Sequence, residues 1–266
     1  MARRSTRSLR TLRKASLGVA GLLGFLLTWQ LIPTLGIISP EYLPYATETL
    51  ARLVDDLRDL AFWRAVGQTM TSWAIGLTIA SVAAIALGTV IGLVPFLRRA
   101  THTTVEFLRP IPSVALIPLA VLVYGIQMQA ALVIIVYASF WQVFVQVLYG
   151  VADVDAVARD TARSFGLSRS SRVVNLVLPT ALPYLMTGLR LAAAVALILA
   201  ITAEMVIGNP GVGRLIVLSG SAADWVGLYA LVLVTGLLGL TINLLFRVIE
   251  RRSLAWHQSV RGEEVL

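Results

Sequence analysis

Uncharged apolar stretches, most of them long enough to cross a bilayer, alternate with short charged segments along this chain. Ala15 to Ile32 is the first, and Arg3, Arg4, Arg7, Arg10, Arg13 and Lys14 precede it. At about 1.5 Å per residue it predicts one membrane-spanning helix. A secretory signal peptide is the rival reading. The run is longer than a signal core, no small-x-small cleavage site follows it, and Arg3-Arg4 is only an echo of a twin-arginine signal. An uncleaved first helix is therefore expected. Ala65 to Leu97 then carries no charge over 33 positions, which predicts a second helix that is tilted, extended beyond the bilayer or broken. Pro110 to Ala152 is uncharged over 43 positions, enough for two spans with a turn at Tyr124–Gln129. Residues 183–210 and 225–246 predict a fifth and a sixth span.

The segments between these runs have patterns of their own. Over 36–64, Leu50, Leu53, Val54, Leu57, Leu60 and Ala61 keep helical spacing while Asp55, Asp56, Arg58 and Asp59 point away. This predicts either a helix lying on a membrane surface or a plain connector. Thr69, Thr71, Ser72, Gly76, Gly88 and Gly92 are small residues suited to close packing of the second span. Arg98, Arg99, His102, Glu106 and Arg109 form a polar patch. Behind it, Pro110, Pro112 and Pro118 each remove a helix donor. Broken backbone of this kind is tolerated at membrane depth where it lines a cavity, which makes Pro112 and Pro118 candidates for a transport path. A kinked helix without such a role is the alternative.

Asp153 to Pro179 is the one long polar segment with clean helical patterning. Val154, Val157, Ala158, Thr161, Ala162 and Phe165 share one face, and Asp155, Arg159, Asp160 and Arg163 take the other. Asp155 is placed to cap the N-terminus, and Gly166 to end the helix in a left-handed conformation. Ser168 then caps a second helix, which Pro179 and Pro183 punctuate.

Composition narrows the function. Only 14% of residues are charged, against about a quarter in soluble domains, so much of the surface faces lipid. The absence of cysteine rules out disulfides, thiol nucleophiles and thiolate metal sites. Lysine occurs once, at Lys14, and no phosphate-binding loop sequence exists, so ATP hydrolysis by this chain is not expected. His102 and His257 sit at span ends and read as interfacial. The net charge of +8 falls beside the spans, which argues for topology rather than nucleic acid. With both termini inside, 17 of 22 basic residues lie on the inner side; Arg52, Arg58, Arg64 and Arg214 lie outside, and Arg190 within a span. That arrangement places Asp153–Pro179 in the cytoplasm.

Two stretches resemble a known family. Asp160-Thr161-Ala162, Gly166, Leu176 and Leu178-Pro179 are similar to the cytoplasmic "EAA…G…I-x-LP" loop of permease subunits from binding-protein-dependent ABC importers, with Asp160, Thr161 and Leu176 departing from it. Arg109-Pro110-Ile111-Pro112, Ala115 and Pro118-Leu119 resemble the nitrate, sulfonate and taurine branch. Leu178 to Arg190, Ala203-Glu204-Met205, Gly211-Val212-Gly213, and Arg251-Arg252 with Trp256-His257 extend the likeness over about residues 60–260. Ser72 and Gln127 stand where the branch commonly has Arg and Gly.

The resemblance implies an all-α polytopic membrane protein with six transmembrane helices and a cytoplasmic coupling helix. It would comprise a basic tail (1–14), a first span with an extracytoplasmic connector (15–62), a permease core (63–250, coupling loop 153–179) and a C-terminal tail (251–266). Arg159, Asp160, Thr161, Ala162, Phe165, Gly166 and Leu167 would contact an ATP-binding subunit. Glu204, Gly211 and Gly213 join Pro112 and Pro118 as pathway or gating candidates. The chain would hold no cofactor, because ATP and magnesium belong to the partner. Its partners would be two ATP-binding subunits, a second permease copy, an extracytoplasmic substrate-binding protein and lipid. Its place would be a bacterial inner membrane, and its substrate a small anion.

Other classes remain in view. A channel or ion-coupled transporter predicts several acids or histidines inside spans, and Glu204 alone qualifies. An intramembrane enzyme needs a nucleophile with a base at membrane depth, which Lys14 in a tail cannot supply. Glu204 itself has two readings: a functional charge facing the bundle interior or water, or a residue at the outer boundary that is simply wet.

Overall fold

The computed structural model describes residues 2–256, with side chains from Ser16 onward. His257 and the rest of the tail, with the side chains of Arg3 to Lys14, lie outside the described residues. Every regular element among the described residues is helical. In order these are α1 (Ala2–Thr34), α2 (Ala46–Asp56), α3 (Leu60–Leu93), α4 (Pro95–Leu108), α5 (Ile117–Tyr124), α6 (Met128–Ala152), α7 (Ala156–Ser164), α8 (Arg169–Arg172), α9 (Leu178–Ile207), α10 (Val212–Ser221) and α11 (Trp225–Ser253). A 3-10 turn at Ser113–Leu116 leads into α5, and a π turn at Val173–Val177 joins α8 to α9. Five helical stretches are long and apolar enough to cross a membrane, and a sixth results if α4 with its bent continuation counts as one.

The proline-rich stretch breaks, as its three prolines predict, but not at all three of them. The polar patch forms helix α4, and the chain turns by 82° between Pro95–Leu108 and Ser113–Tyr124. Pro110 and Pro112 lie in the break itself. Pro118 breaks nothing, because it sits in the first turn of α5, where a missing N–H costs no helix bond. The second span, in contrast, is one unbroken helix. It stops ahead of Pro95, with Val94 extended at φ −108° and ψ 104°, as a residue before proline prefers. Pro179 and Pro183 also fail to end their helix. The π turn directly ahead of α9 widens the backbone where the Pro179 ring would meet the preceding turn, and α9 runs on through Pro183.

The chain divides into two compact units, the first comprising residues 1–62 and 216–234. Within it, the buried Trp29 donates Nε1–H to the Pro44 carbonyl at 3.0 Å, and Tyr229 donates its hydroxyl to the Tyr42 carbonyl at 3.1 Å. α2 buries Ala46, Thr49 and Leu53 while Leu50 and Val54 stay exposed. The apolar stripe read from the sequence is therefore not one face: α2 ends at Asp56, and Leu60 already belongs to the next helix. Arg52 pairs with Asp56 at 3.0 Å and with Asp224 at 3.1 Å. The hydrogen bond to Asp56, against some loss of hydration, holds the Arg52 guanidinium above its ordinary range.

The second unit comprises residues 63–215 and, among the described residues, 235–256. Its centre is α6 against α9, where Ala131, Ile134, Ile135 and Phe144 of α6 and Ala192, Ala193, Ala196 and Ala200 of α9 belong to one buried cluster. Lipid offers no hydrophobic drive between helices, so close packing of small residues has to supply the contact. Gly88 and Gly92 of α3 lie against α6, where an added Cβ would stand 2.9 Å from Val147 and 3.0 Å from Val151. Gly150 likewise admits the backbone of Ala181, 2.8 Å from where its Cβ would be. Trp73 of α3 donates its indole N–H to the Ala193 carbonyl at 2.8 Å.

Candidate functional site

Two places in the second unit hold most of the residues singled out from the sequence. The first is α7 and its ends. Asp155 Oδ1 accepts the Ala158 N–H at 2.9 Å, so the N-cap forms as expected. At the other end Gly166 takes φ +71°; its N–H reaches the Arg163 carbonyl at 2.9 Å, and Leu167 N–H reaches Ala162 at 3.1 Å. This pair of bonds is the Schellman closure, which needs a left-handed residue at that point. Ser168 Oγ accepts Ser171 N–H at 3.2 Å and starts α8. The helix is thus fixed at both ends by its own sequence.

Its apolar face is not covered. Val154 is buried and roots the helix, but Val157 is 73% exposed and Phe165 80% exposed. Val157, Ala158, Thr161, Ala162, Phe165 and Leu167 line a shallow depression of about 630 Å³. Of the expected contact residues, Thr161, Ala162, Phe165 and Leu167 share this surface. Asp160 instead pairs with Arg163 at 3.3 Å, and Arg159 lines a separate cavity.

The second place is Glu204, in the last turn of α9. It is 1% exposed, so the reading of a wet boundary residue is wrong. Its Oε2 accepts Thr69 Oγ–H at 2.9 Å and Gly213 N–H at 2.9 Å. Thr69 Oγ1 in turn accepts Val212 N–H at 3.0 Å. Gly208 (φ +84°) ends α9 and lets the chain turn back over the carboxylate. Gly211 and Gly213 sit so close that a Cβ on Gly211 would meet the Glu204 carboxylate, and one on Gly213 would stand 2.8 Å from Glu204 Cβ. The structure therefore brings Glu204, Gly211 and Gly213 together. Pro112 and Pro118 are exposed residues of the α4–α5 bend and add nothing to this bonding.

Sequence reasoning missed two partners here. Thr69 had been counted only as a small residue, and nothing in its neighbourhood marks it as the donor to an acid 135 positions away. Asn209 donates Nδ2–H to the Gln127 carbonyl at 2.9 Å, tying the α5–α6 turn to the segment after α9. Arg190, expected to be costly within a span, is paired with Glu250 at 3.1 Å.

A family model described as "binding-protein-dependent transport system inner membrane component" matches residues 76–254. The chain belongs to this family. Among curated proteins, the permease is 29% identical over 254 residues to the taurine transport system permease protein TauC of Escherichia coli (strain K12), covering 94% of this chain and 92% of that one. It is 31% identical to the bicarbonate transport system permease protein CmpB of Synechococcus elongatus, covering 74% of each. Among solved structures, the inward-facing MetNI methionine ABC transporter in its CY5 SeMet soak crystal form matches with TM-score 0.61 at 19% identity, over 72% of this chain and 95% of that one. That likeness shows the fold. The chain is a multi-pass inner-membrane permease of the ABC transporter class.

Proposed function

We infer that the permease builds, with a second copy of itself, the path of an importer for a small anion, and that α7 couples this path to a separate ATP-binding subunit. The observation that carries the coupling is a helix capped at both ends whose apolar face is left open, with Phe165 80% exposed. A solvated loop has no use for a rigid apolar face, whereas a lever that docks in a groove requires one. Relatives named for taurine, aliphatic sulfonate, nitrate and bicarbonate transport support a small oxyanion or sulfonate as cargo. The excess of basic residues beside α7 supports a cytoplasmic position for the loop and both termini.

The mechanism is mechanical. An extracytoplasmic binding protein delivers the anion to the outer ends of the paired permeases. ATP draws the two ATP-binding subunits together, and each moves its α7 as a rigid body. The bundle has two packings, and nucleotide state selects between them. The permease performs no covalent chemistry. Glu204, which ties α3, the end of α9 and the start of α10, is placed to hold one of those packings.

The test is to purify the permease with its ATP-binding subunit and measure ATPase activity in nanodiscs. Binding protein loaded in turn with taurine, an alkanesulfonate, nitrate and bicarbonate is added. One anion class should stimulate hydrolysis. An ATP-binding subunit that never co-purifies would overturn the coupling role.

A further inference from the structure

Behind α7, on the side away from its open apolar face, five arginines converge on one cavity of about 730 Å³: Arg98, Arg159, Arg163, Arg169 and Arg172. They come from three elements: α4, α7 and both ends of α8. No Asp or Glu lines the cavity. Of these five, Arg163 alone has an ion pair among the described residues, with the exposed Asp160. The Arg172 Nε is buried without a hydrogen-bond acceptor. Like charges gathered round a recess repel one another, and an N–H kept from water with no acceptor lacks a partner. Both conditions are relieved by one anion with several oxygens. Guanidinium forks match phosphate oxygens two at a time, which is the geometry that tetrahedral oxyanions reward.

The rest of the lining says what carries the anion. Gly92 and Leu93 end α3, Val151 and Ala152 end α6, and Leu176 and Val177 lead into α9. The recess therefore lies where two apolar helices long enough to cross a membrane, α3 and α6, end and the chain leads into α9. Its lining is part apolar and part basic, and its volume is that of a small-molecule site rather than of one free ion. Basic recesses between spans suit anionic headgroups. We propose that this cavity binds the phosphodiester of an anionic phospholipid, clamped between α4, α7 and α8, so that lipid braces the base of α7. The proposal rests on the membrane placement of the chain and not on the docking of an ATP-binding subunit.

The full-length permease, alone, is reconstituted in nanodiscs of phosphatidylcholine with or without phosphatidylglycerol, and the lipid retained after release is counted by native mass spectrometry. Phosphatidylglycerol should be retained over phosphatidylcholine. Arg98→Gln and Arg172→Gln should each weaken retention about fivefold, the scale of one arginine at an anionic surface. Arg99→Gln, beside the cavity but outside its lining, should change nothing. Arg98→Gln with Arg159→Gln gives a second reading should Arg172→Gln fail to fold. Equal retention by the cavity variants and by the permease itself overturns the proposal. Release of phosphatidylglycerol by millimolar inorganic phosphate overturns the lipid as bearer and assigns the arginines to a soluble oxyanion. In a separate co-purification with the ATP-binding subunit, variants that keep their lipid but shed that subunit would make the cluster a protein-docking face, and the proposal would fail.

Discussion

Thr69 and Glu204, 135 positions apart, share a 2.9 Å hydrogen bond in which the threonine hydroxyl donates to the carboxylate. The same hydroxyl accepts the Val212 N–H, so one side chain serves α3, α9 and α10 at once. Thr69→Val keeps the shape and removes both roles. It leaves the Val212 N–H without an acceptor and Glu204 short of a donor, at a cost of about 1–3 kcal/mol. Thermal unfolding of the purified permease should drop for Thr69→Val and recover for Thr69→Ser.

Glu204→Gln separates charge from shape. The amide oxygen still accepts from Thr69 and Gly213, so the complex should assemble. If Glu204 holds one transport packing through its charge, uptake should fall by roughly tenfold or more, which about 1.4 kcal/mol on the limiting step produces. Normal uptake with normal assembly would reduce Glu204 to a structural tie.

Close approach at Gly88 and open space at Gly236 make a matched pair. A Cβ at Gly88 would stand 2.9 Å from Val147 Cγ1, and valine is stiff at χ1, so the neighbour yields poorly. Nothing lies within 4 Å of a Cβ at Gly236, in α11. Gly88→Ala should destabilise by about 1–3 kcal/mol. Gly236→Ala should be neutral or stabilising by up to about 1 kcal/mol. Unfolding temperatures of the two variants decide it, and equal shifts would remove the argument that glycine sets the α3–α6 contact.

The chain has no cysteine, which makes its topology directly readable. Ser170 is exposed at the start of α8, and its loss leaves the Ser168 cap intact. Ser170→Cys should react with a membrane-impermeant thiol reagent only after the cytoplasmic side is opened. Labelling in intact cells would invert the assigned orientation.

What was legible in the sequence is what is local. Asp155, Gly166 and Ser168 announce their caps because each bond they make lies within five residues, and all three formed. Span existence was legible from uncharged length, and Gly88 and Gly92 from their spacing. Glu204 was visible as a charge where charges are costly, but its burial was not, because that depends on Thr69 and on Gly213 turning back over it. Two errors share another cause. The stripe from Leu50 to Ala61 kept helical period across a turn at Leu57–Asp59, and periodicity does not register a break that preserves phase. Pro118 was expected to break the chain like Pro110 and Pro112, and Pro183 to punctuate its helix, but a proline in the first turn costs no helix bond, and α9 runs on through Pro183.

The coupling role proposed for α7 divides into a rigidity requirement and a surface requirement, and two substitutions test them apart. At Gly166 there is open space for a side chain, so Gly166→Val introduces no clash; its cost lies in holding φ +71°, which L-residues resist by about 1 kcal/mol or more. It should loosen the Schellman closure and leave the apolar face chemically intact. Val157 and Phe165 present the opposite case: both are exposed, so Val157→Ser with Phe165→Ser removes no internal packing of the second unit. It should leave the helix capped and strip the face of its apolar area. Both variants should insert and remain folded. Gly166→Val should retain the ATP-binding subunit with ATPase activity that responds less to loaded binding protein, since a softened lever binds but transmits poorly. The double serine variant should lose the subunit itself, because burying two such side chains contributes about 1.5–3 kcal/mol each. Subunit retention by co-purification and stimulated ATPase in nanodiscs read the two requirements separately. Full retention and full stimulation in both variants would show that α7 is a solvated loop, and coupling would then have to pass through another surface of the permease.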